Sequence, residues 1–447
     1  MPDVKLPPQD IEAEKSVLGA LMIDKNAVTK IADSIMPPDF YLTAHQKIYE
    51  AVLELFGKNQ PIDILSVTSI LKDDKNLESV GGSSYLGDLI NTVPTSAHIA
   101  HYAKIVREKR VLRDLIALSA NISEEVFEGR TDVDNLLDRI EQKVFGVAQR
   151  SQDKNFVALK DELKVAYERI ERLHREGGKG LRGVTTGFSG IDRYLSGFQP
   201  SDLIILGARP SLGKTTLALD MARGAAKSGV PVGLFSIEMS RDQIVDRIIS
   251  AEAQVPFWKL RTGQLNNETD FGLIQESLDR LSQMPIFIDD TPSPNIMQLR
   301  SIGRRLQAEH GLGLLIIDYV QLIQPLTNSD NVVQQFTEIS HGLKALAREL
   351  NIPVLALSQL NRSVDAREIK IPRLSDLRET GSWEQDADVV MFIYRKDRDK
   401  LEPSLEEENT ASIIISKHRN GPLGTVDLKF DGDRVTFREI ASIHSDI

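Results

Sequence analysis

Cysteine is absent from the 447-residue sequence. This absence excludes a disulfide framework, a zinc ribbon and a thiol nucleophile. Long hydrophobic runs are missing as well. The clearest aliphatic stretches, residues 203–206 and 314–317, have the length of a strand, whereas a membrane-spanning helix needs roughly 18 apolar residues. The N-terminus lacks the apolar segment of a secretory signal. We therefore expect a soluble protein of the cytoplasm that does not enter a membrane.

Positive charge is in deficit, because 54 Lys and Arg stand against 65 Asp and Glu and give a formal net charge of −11. Such a balance argues against a protein that coats nucleic acid indiscriminately. It leaves room for a local basic groove, since affinity for nucleic acid depends on where the cations lie. The length exceeds what one hydrophobic core usually serves, so we expect two or three domains.

The first 150 residues show helical periodicity and no strand-like alternation. Residues 81–84, Gly-Gly-Ser-Ser, predict a loop, and a long amphipathic stretch begins at Ile99. No group of residues here has the spacing of a catalytic site. We predict an all-helical N-terminal domain at residues 1–150 that serves interaction or assembly.

Residues 151–182 predict a linker that contains one amphipathic helix, at about 156–176. The helix ends at a glycine pair, residues 177–178. An apolar stripe on such a helix must be buried against another surface. Two surfaces remain open: the same chain, or a neighbouring subunit, which would assemble identical chains into a ring. The stripe consists of Leu159, Leu163, Ala166, Tyr167, Ile170 and Leu173.

Residues 183–447 alternate short aliphatic runs with helix-length amphipathic segments. This alternation indicates a mostly parallel sheet covered on both faces, hence an α/β fold. Near the C-terminus, residues 425–430 and 434–437 flank a turn and predict a β-hairpin. The other predicted strands are residues 203–206, 232–238, 286–288, 314–317, 354–357, 389–393 and 413–415.

Residues 208–215, ARPSLGKT, fit the relaxed P-loop pattern of Ala or Gly, four residues, then Gly-Lys-Thr. A predicted strand precedes the motif and a predicted helix follows it, so main-chain N–H groups can surround phosphate oxygens. Lys214 would place its charge on the β and γ phosphates, and the Thr215 hydroxyl can bind Mg²⁺. The motif predicts binding of a nucleoside triphosphate. The residues predicted to hold it are Ser211, Gly213, Lys214, Thr215 and Thr216.

Two acidic residues follow predicted strands and are candidates for the chemistry of hydrolysis. Asp318 ends an aliphatic strand and is predicted to hold the magnesium; the alternative is a turn or a helix cap. The next residue is Tyr319 rather than Glu, so the general base must come from elsewhere. Glu238, at the end of the first strand after the P-loop helix, is the best candidate, although a helix cap or a solvated acid remains open.

Seven further motifs occur in order along the chain with the P-loop. They are residues 185–192 (TTGFSGID), 235–240 (FSIEMS), 318–322 (DYVQL), 357–362 (LSQLNR), 374–382 (LSDLRETGS), 385–388 (QDAD) and 417–421 (KHRNG). Together with the P-loop they closely resemble the bacterial replicative DNA helicases of the DnaB family. The resemblance covers essentially the whole chain, including a helical N-terminal domain of suitable size.

The resemblance implies a RecA-like motor domain at residues 183–447, assembled as a homohexameric ring. Such a ring uses ATP and Mg²⁺ to move 5′ to 3′ on single-stranded DNA and to unwind the duplex at the replication fork. The family also implies two protein partners. Primase binds the N-terminal domain, and a helicase loader meets the linker and motor surfaces.

The same resemblance assigns roles to individual residues. Glu238 matches the carboxylate that activates the attacking water, and Gln359 matches the sensor of the γ-phosphate. Arg419 matches an arginine finger delivered from the neighbouring subunit, with Lys417 as its companion. Arg247 matches an arginine that contacts the nucleotide. The residues that match DNA-gripping loops are Arg378, Glu379 and Gly381.

The segment between Asn361 and Ser382 is rich in cations and poor in aromatic residues. A cationic groove without base-stacking side chains suits tracking of the DNA backbone with little sequence preference. The alternative is an ordinary polar surface loop, but loops of this length inside a domain are usually functional or disordered. The cations are Arg362, Arg367, Lys370, Arg373 and Arg378.

Two other functions compete with the helicase. A RecA-type recombinase or DNA-repair ATPase would share the motor core, but the large helical N-terminal domain, the linker helix and the loop at 374–382 speak against it. A scaffold that binds ATP without mechanical work is the other alternative, against which the candidate base Glu238 and the candidate finger Arg419 argue.

Overall fold

The computed structural model describes residues 6–24, 26–93, 98–128, 159–175, 181–266, 268–325, 331–367, 370–377, 381–398 and 408–440, with a few single positions between 133 and 146. The chain forms two compact units, residues 1–159 and 160–447, each with its own hydrophobic core. Of the predicted linker at 151–182, only residues 159–175 and 181–182 are described. The predicted boundaries at 150 and 182 therefore stay predictions.

The first unit is all-helical in its described part, which confirms the predicted fold of the N-terminal region. Side chains at helical spacing pack inward, among them Val17, Leu21, Ile48 and Val52, which are fully buried. The helices are α1 (Ile11–Ile23), α2 (Thr43–Gly57), α3 (Ile64–Asp73), α4 (Gly82–Thr92) and α5 (Ile99–Glu128).

The predicted loop at residues 81–84 is wrong, because α4 begins at Gly82. Only Gly81 remains outside the helix. Its φ of +99° lies in the left-handed region that glycine adopts readily, so it makes the turn before α4. The two serines that suggested a loop lie in the first turn of the helix, where serine is well tolerated.

The linker helix, α6 (Leu159–Arg175), lies where the sequence predicted an amphipathic helix. Its apolar stripe is exposed within the chain: the exposed fractions of Leu159, Leu163, Tyr167 and Ile170 lie between 56% and 73%. The side chain of Leu173, the sixth predicted member, lies outside the described residues. Four large apolar side chains in one exposed row form a surface that a soluble protein rarely leaves uncovered.

The second unit is built on a sheet whose nine strands, within the described residues, lie in the order β3-β2-β4-β5-β1-β6-β7-β8-β9. The pairs from β3 to β6 are parallel, and β7, β8 and β9 continue the sheet in antiparallel fashion. This confirms the predicted mostly parallel α/β fold and the C-terminal hairpin. The strands are β1 (Leu203–Ala208), β2 (Val232–Ser236), β3 (Ile286–Asp289), β4 (Leu314–Asp318), β5 (Val354–Gln359), β6 (Val389–Tyr394), β7 (Thr410–His418), β8 (Gly424–Asp431) and β9 (Thr436–Glu439).

Helices cover both faces of this sheet, which explains why its central strands are apolar at every position. In β1, Ile204 and Leu206 join the core on one face, and Leu203 and Ile205 join the core on the other. The helices of this unit, after α6, are α7 (Ser189–Leu195), α8 (Lys214–Lys227), α9 (Arg241–Ala253), α10 (Phe257–Thr262), α11 (Asp270–Ser282), α12 (Ile296–His310), α13 (Val332–Leu350) and α14 (Gly381–Asp386).

The parallel strands end at one edge of the sheet, where the loops after β1, β2, β4 and β5 come together. Strand β7 runs the other way, so its last residue, His418, pairs with Val389, the first residue of β6. The residues that follow β7 therefore lie at the opposite edge. The predicted strand 232–238 is too long, because β2 ends at Ser236 and Glu238 lies two residues beyond it.

No helix among the described residues combines the length and the apolar character that would let it cross a membrane. Within the same residues, no group of three or more His, Asp or Glu side chains is arranged to hold a metal ion on its own. A metal that depends on phosphate oxygens for most of its ligands needs no such cluster.

Candidate active site

The loop between β1 and α8 has the backbone of a phosphate-binding loop. Ser211 and Gly213 have φ values of +65° and +96°, so successive N–H groups turn toward the space in front of α8. A Cβ atom on Gly213 would lie 2.8 Å from the ring of Phe437, which adds a steric reason for glycine at this position. Helix α8 begins at Lys214, and its N-terminal N–H groups complete an anion site.

A cleft of about 290 Å³ opens in front of this loop. It brings together residues from the ends of β1, β2, β4 and β5, as expected of ligand sites in parallel sheets. All of the residues predicted to hold phosphate line it, and so do three other residues singled out from the sequence. The lining includes Ser211, Gly213, Lys214, Thr215, Thr216, Glu238, Arg247 and Gln359.

Asp318 lies beneath the cleft and is 1% exposed. Its Oδ2 accepts a 2.5 Å hydrogen bond from the Thr215 hydroxyl, and its Oδ1 lies 3.8 Å from Lys214 Nζ. Oδ1 is buried without a hydrogen-bond partner. Burial raises the pKa of Asp318, although Lys214 and Thr215 act in the opposite direction. A hydroxyl and a carboxylate oxygen side by side, with one oxygen unsatisfied, are the donors that hydrated Mg²⁺ uses beside a P-loop.

The Lys214 ammonium is held at the base of the cleft with 13% of its side chain exposed. Its Nζ lies 4.3 Å from the centre of the Tyr319 ring, a cation–π contact that the sequence did not reveal. Burial lowers the pKa of Lys214, and the carboxylates of Asp318 and Glu238 oppose that change. A cation so placed is well suited to binding an anion.

Glu238 lines the cleft from the segment after β2, with an exposed side chain. The backbone of this segment is fixed to the strand of Asp318, because Ile237 N donates to the Asp318 carbonyl at 2.8 Å. A carboxylate on the cleft wall that is open to solvent can accept a proton from water. Glu238 is therefore placed to act as a general base.

Gln359, the last residue of β5, lines the cleft beside the P-loop, since β1 and β5 pair Ala208 with Gln359. The amide of Gln321 holds its backbone on both sides: Gln359 N donates to Gln321 Oε1 at 3.3 Å, and Gln321 Nε2 donates to the Gln359 carbonyl at 3.2 Å. Gln321 lies inside the DYVQL motif, but its role was missed because residues 38 apart in sequence make the contact.

Arg247, on α9, approaches the cleft with its guanidinium 5.7 Å from the centre of the Phe257 ring. Burial lowers the pKa of Arg247, against the influence of Asp318 and Glu238. Its Nε is buried and has no hydrogen-bond partner. A half-buried guanidinium with a free donor at the rim of a phosphate site can bind a phosphate oxygen.

Lys417 and Arg419 lie away from this cleft. Lys417 Nζ donates to the carbonyls of Gln385 and Ala387 at 3.3 and 2.6 Å and also to that of Glu384, so it caps the end of α14. Arg419, 67% exposed, reaches Asp388 at 3.5 Å. Strand β1 separates this edge from the P-loop by roughly 20 Å at 3.3 Å per residue.

The predicted DNA-contacting residues fall only partly within the described chain. Arg378 and Glu379 lie outside it, and Gly381 is the first residue of α14. Of the other cations, Arg367 is committed to Asp376: Nη1 donates to Oδ2 at 2.8 Å, and Nη2 donates to Oδ1. This pair organises the loop and reduces the number of cations free to meet DNA.

Family comparisons cover both units. Residues 183–439 match the DnaB-like helicase C terminal domain, and residues 6–108 match the DnaB-like helicase N terminal domain.

Full-length relatives are similar along nearly the whole chain. The replicative DNA helicase DnaB of Geobacillus stearothermophilus and the replicative DNA helicase DnaC of Bacillus subtilis (strain 168) are each 46% identical over 428 residues, 95% of this chain and 93% of theirs. The replicative DNA helicase DnaB of Leifsonia xyli subsp. xyli (strain CTCB07) is 39% identical over 444 residues, covering 98% of this chain and 95% of that one.

Two solved structures share the fold. A DnaB-like replicative helicase, described together with its interactions with primase, superposes with a TM-score of 0.78 at 29% identity, over 96% of this chain and 100% of that one. A separately solved ATPase domain does so with a TM-score of 0.60 at 34% identity, over 64% of this chain and 100% of that one.

Proposed function

The chain belongs to the DnaB-like helicase family and is an ATP-dependent replicative DNA helicase, and from this we propose that six copies form a closed ring that draws one strand of forked DNA through its centre, 5′ to 3′. One observation carries the proposal. The cleft holds a P-loop, a buried acid and a candidate base, whereas the candidate arginine finger lies at the other edge of the same sheet.

We infer that the cleft binds ATP through the N–H groups of the P-loop and the Lys214 ammonium. Thr215 and Asp318 would hold Mg²⁺, which neutralises charge on the phosphates when bound. Arg247 would add a contact to a phosphate oxygen at the rim. Two buried polar atoms without hydrogen-bond partners support these assignments, Oδ1 of Asp318 and Nε of Arg247. Each would gain a partner of opposite charge from the bound magnesium and triphosphate.

Glu238 would accept a proton from the water that attacks the γ-phosphorus. Its exposed carboxylate lies on the cleft wall, and the hydrogen bond from Ile237 N to the Asp318 carbonyl fixes its distance from the metal-binding acid. General-base catalysis of this kind contributes roughly 10²–10⁴ in rate.

Arg419 would complete the pocket of a neighbouring subunit. Its own cleft is beyond reach, because the polypeptide after β7 and the P-loop lie at opposite edges of the sheet. An arginine finger stabilises charge on the transferring phosphoryl group and contributes roughly 10³–10⁵ in rate. Hydrolysis would therefore depend on contact between subunits.

The exposed stripe of α6 supports the same assembly. Leu159, Leu163, Tyr167 and Ile170 offer a continuous apolar surface, and a helix flanked by linker residues can dock outside its own chain. We propose that α6 packs against the motor unit of the next subunit and thereby brings Arg419 and the neighbouring cleft together.

Gln359 would report the γ-phosphate to the DNA-binding segment. It lies in the cleft, its backbone is held by Gln321, and the loop toward the DNA begins two residues later at Asn361. Opening one base-paired step costs on the order of 1.4 kcal/mol, so the energy of hydrolysis must reach these loops. The segment that contains Arg378, Glu379 and Gly381 would grip the single strand.

Two protein partners complete the proposal. The structural relative is described with its interactions with primase, and we propose that the helical N-terminal unit of this chain binds primase as well. A helicase loader would meet the linker and motor surfaces before the ring closes on DNA.

The test is unwinding of forked DNA in which only one strand carries a single-stranded tail. The wild-type chain should unwind the substrate with a 5′ tail and leave the substrate with a 3′ tail intact. Glu238→Gln should bind a fluorescent ATP analogue normally but hydrolyse ATP at least about 100-fold more slowly, because it lacks the base.

Three results would count against the proposal. Unwinding from the 3′ tail would reverse the polarity, full-speed hydrolysis by a monomer would remove the ring, and normal turnover by Glu238→Gln would assign the base to another residue. Electron micrographs of the same sample distinguish rings from the filaments of a recombinase.

A further inference from the structure

One side chain of the P-loop reaches out of the cleft and holds the segment that follows β5. Arg209 is the first residue after β1, and its guanidinium forms a bidentate pair with Asp365: Nε donates to Oδ1 at 3.1 Å, and Nη2 donates to Oδ2. The third nitrogen, Nη1, donates to the Leu360 carbonyl at 2.8 Å. The two partners are 156 residues apart in sequence, so the pair could not be read from any motif.

These contacts close a turn at both of its ends. The turn begins at Leu360, whose N–H extends the β1–β5 ladder by donating to the Ala208 carbonyl at 3.1 Å, and it ends at Asp365. Between them a short helical turn, Arg362–Val364, is capped by Asn361. Because one guanidinium holds both ends, a displacement of Arg209 moves residues 360–365 as a unit.

The same turn is connected to the rest of the DNA-binding segment. Asn361 N donates to the Asp376 carbonyl at 3.0 Å, and the Asp376 carboxylate, 1% exposed, is held by Arg367. Leu360 also pairs with Leu377 in an isolated β-bridge. A continuous set of hydrogen bonds thus leads from the phosphate-binding loop to the residue that precedes Arg378.

We propose that the Arg209–Asp365 pair is a mechanical link between the nucleotide and the DNA-binding segment, separate from Gln359. Arg209 acts here as a positioning residue. Its backbone belongs to the loop that surrounds the phosphates, and its guanidinium sets the position of residues 360–365. The inference rests on the proposed function of residues 361–382 as the DNA-gripping segment.

A stabilising role alone is a weak explanation for the pair. The Asp365 side chain is 53% exposed, and ion pairs at such exposed positions contribute little to the stability of the folded state. The geometry is nevertheless fully specified, because all three guanidinium nitrogens of Arg209 donate to the same turn, two of them to Asp365 and one to the Leu360 carbonyl. Specific geometry with little net stability fits a contact that transmits position between two sites.

The experiment measures linkage between nucleotide and DNA. Affinity for a fluorescein-labelled oligo-dT is determined by anisotropy with the full-length chain, once with ADP and once with a non-hydrolysable ATP analogue. The ratio of the two dissociation constants is the coupling factor, which for linked sites is typically 5–150-fold. We expect Asp365→Asn to lower this factor at least about threefold. Asp365→Glu, which keeps the carboxylate, should retain most of the wild-type factor.

The matched control is Glu349→Gln. Glu349 likewise accepts hydrogen bonds from arginine side chains, those of Arg300 and Arg304. It lies at the C-terminal end of α13, just before β5 begins, and therefore at the edge of the sheet opposite the P-loop. Its coupling factor should equal that of the wild type. A merely structural role for Asp365 would weaken DNA binding equally with both nucleotides and leave the factor unchanged, which would overturn the inference.

A double-mutant cycle completes the test. Arg209→Gln and Asp365→Asn should each lower the coupling factor, and the double variant should lower it no further than the stronger single change. Additive losses would show that the two residues act independently and would contradict the link. If the wild type itself shows no dependence on nucleotide, the proposed coupling of ATP to DNA fails and the link fails with it, whereas unchanged coupling in the variants alone contradicts only the link.

Discussion

Burial determines the chemistry of single residues in the cleft. It lowers the pKa of Lys214 and raises the pKa of Asp318, so each charge is disfavoured unless a counter-charge is close. The two groups lie 3.8 Å apart and compensate each other only in part. A triphosphate with its magnesium offers an anion to the lysine and a cation to the aspartate. Binding of both together should therefore be strongly cooperative.

A half-buried acid, Asp202, makes the stability of the motor unit depend on pH. Burial and the nearby Asp388 carboxylate raise the pKa of Asp202 to about 6, whereas an unfolded chain has a value near 3.9. Between these pH values the folded state binds more protons than the unfolded chain, so stability falls as the pH rises from about 4 to 6.

Asp202→Asn should remove the part of this dependence that Asp202 contributes. Relative to the wild type, the variant should gain roughly 2–4 °C in thermal midpoint when the pH is raised from 5 to 7.5, allowing for the partial exposure of the group. Differential scanning fluorimetry at both pH values measures the gain. Equal shifts of wild type and variant would show that another group titrates in this range.

The sequence predicts the residues of the cleft best where they lie close together in the chain. Residues 211–216 are fixed by one loop and one helix start, and Asp318 follows directly from an aliphatic strand. Tyr319, Gln321 and Arg209 could not be assigned in this way. Each acts through a side chain that meets a partner from another element, and sequence spacing has no information on that distance.

At the scale of elements, the C-terminal hairpin supports the P-loop from below. Phe437, in β9, lies against Gly213, and the Phe437 and Phe430 ring centres are 5.0 Å apart. Asp220 on α8 fixes this strand: its Oδ2 accepts from Phe437 N at 2.7 Å and its Oδ1 from the Thr436 hydroxyl at 2.9 Å. The hairpin was predicted from its turn, but its place beneath the nucleotide site was not, because that depends on β7 and β8 extending the sheet.

Asp220→Ala should loosen the P-loop from this support. Two buried donors would lose their acceptor, at a cost of roughly 2–4 kcal/mol. The thermal midpoint should fall on the order of 5–10 °C, and KM for ATP should rise. Asp427→Ala removes an exposed acid that accepts from Ser412 in the same sheet and serves as the control, with a shift of about 1 °C. Equal effects of the two changes would deny Asp220 this role.

For the whole molecule, the two edges of one sheet carry what we propose to be complementary halves of a catalytic site. The cleft lies at the carboxyl ends of the parallel strands, and Arg419 follows β7 at the opposite edge. No single motif could predict this separation. The separation depends on β7 joining the sheet antiparallel to β6. A short aliphatic run in the sequence does not show whether its strand will be parallel or antiparallel to its neighbour.

Mixed rings test whether the halves belong to different subunits. Lys214→Ala and Arg419→Ala should each lower ATP hydrolysis at least about 100-fold as pure samples. Co-expressed with different affinity tags and purified through both, they should recover about a quarter of wild-type hydrolysis, because random mixing pairs an intact cleft with an intact arginine at that share of interfaces. Mixed rings as inactive as the pure variants would place Arg419 outside the site or within its own chain.

If the cleft of one subunit receives Arg419 of the next, as we propose, the placement of the two at opposite edges of the sheet gives each subunit a head and a tail. Subunits that join head to tail cannot pair as two-fold dimers, since the same surface would then face itself. In an open row of subunits, one terminal subunit has a cleft without an arginine and the other has an Arg419 without a cleft. In a closed circle every cleft meets an arginine. In the proposed assembly, closure around a strand of DNA is thus the arrangement that leaves no active site incomplete.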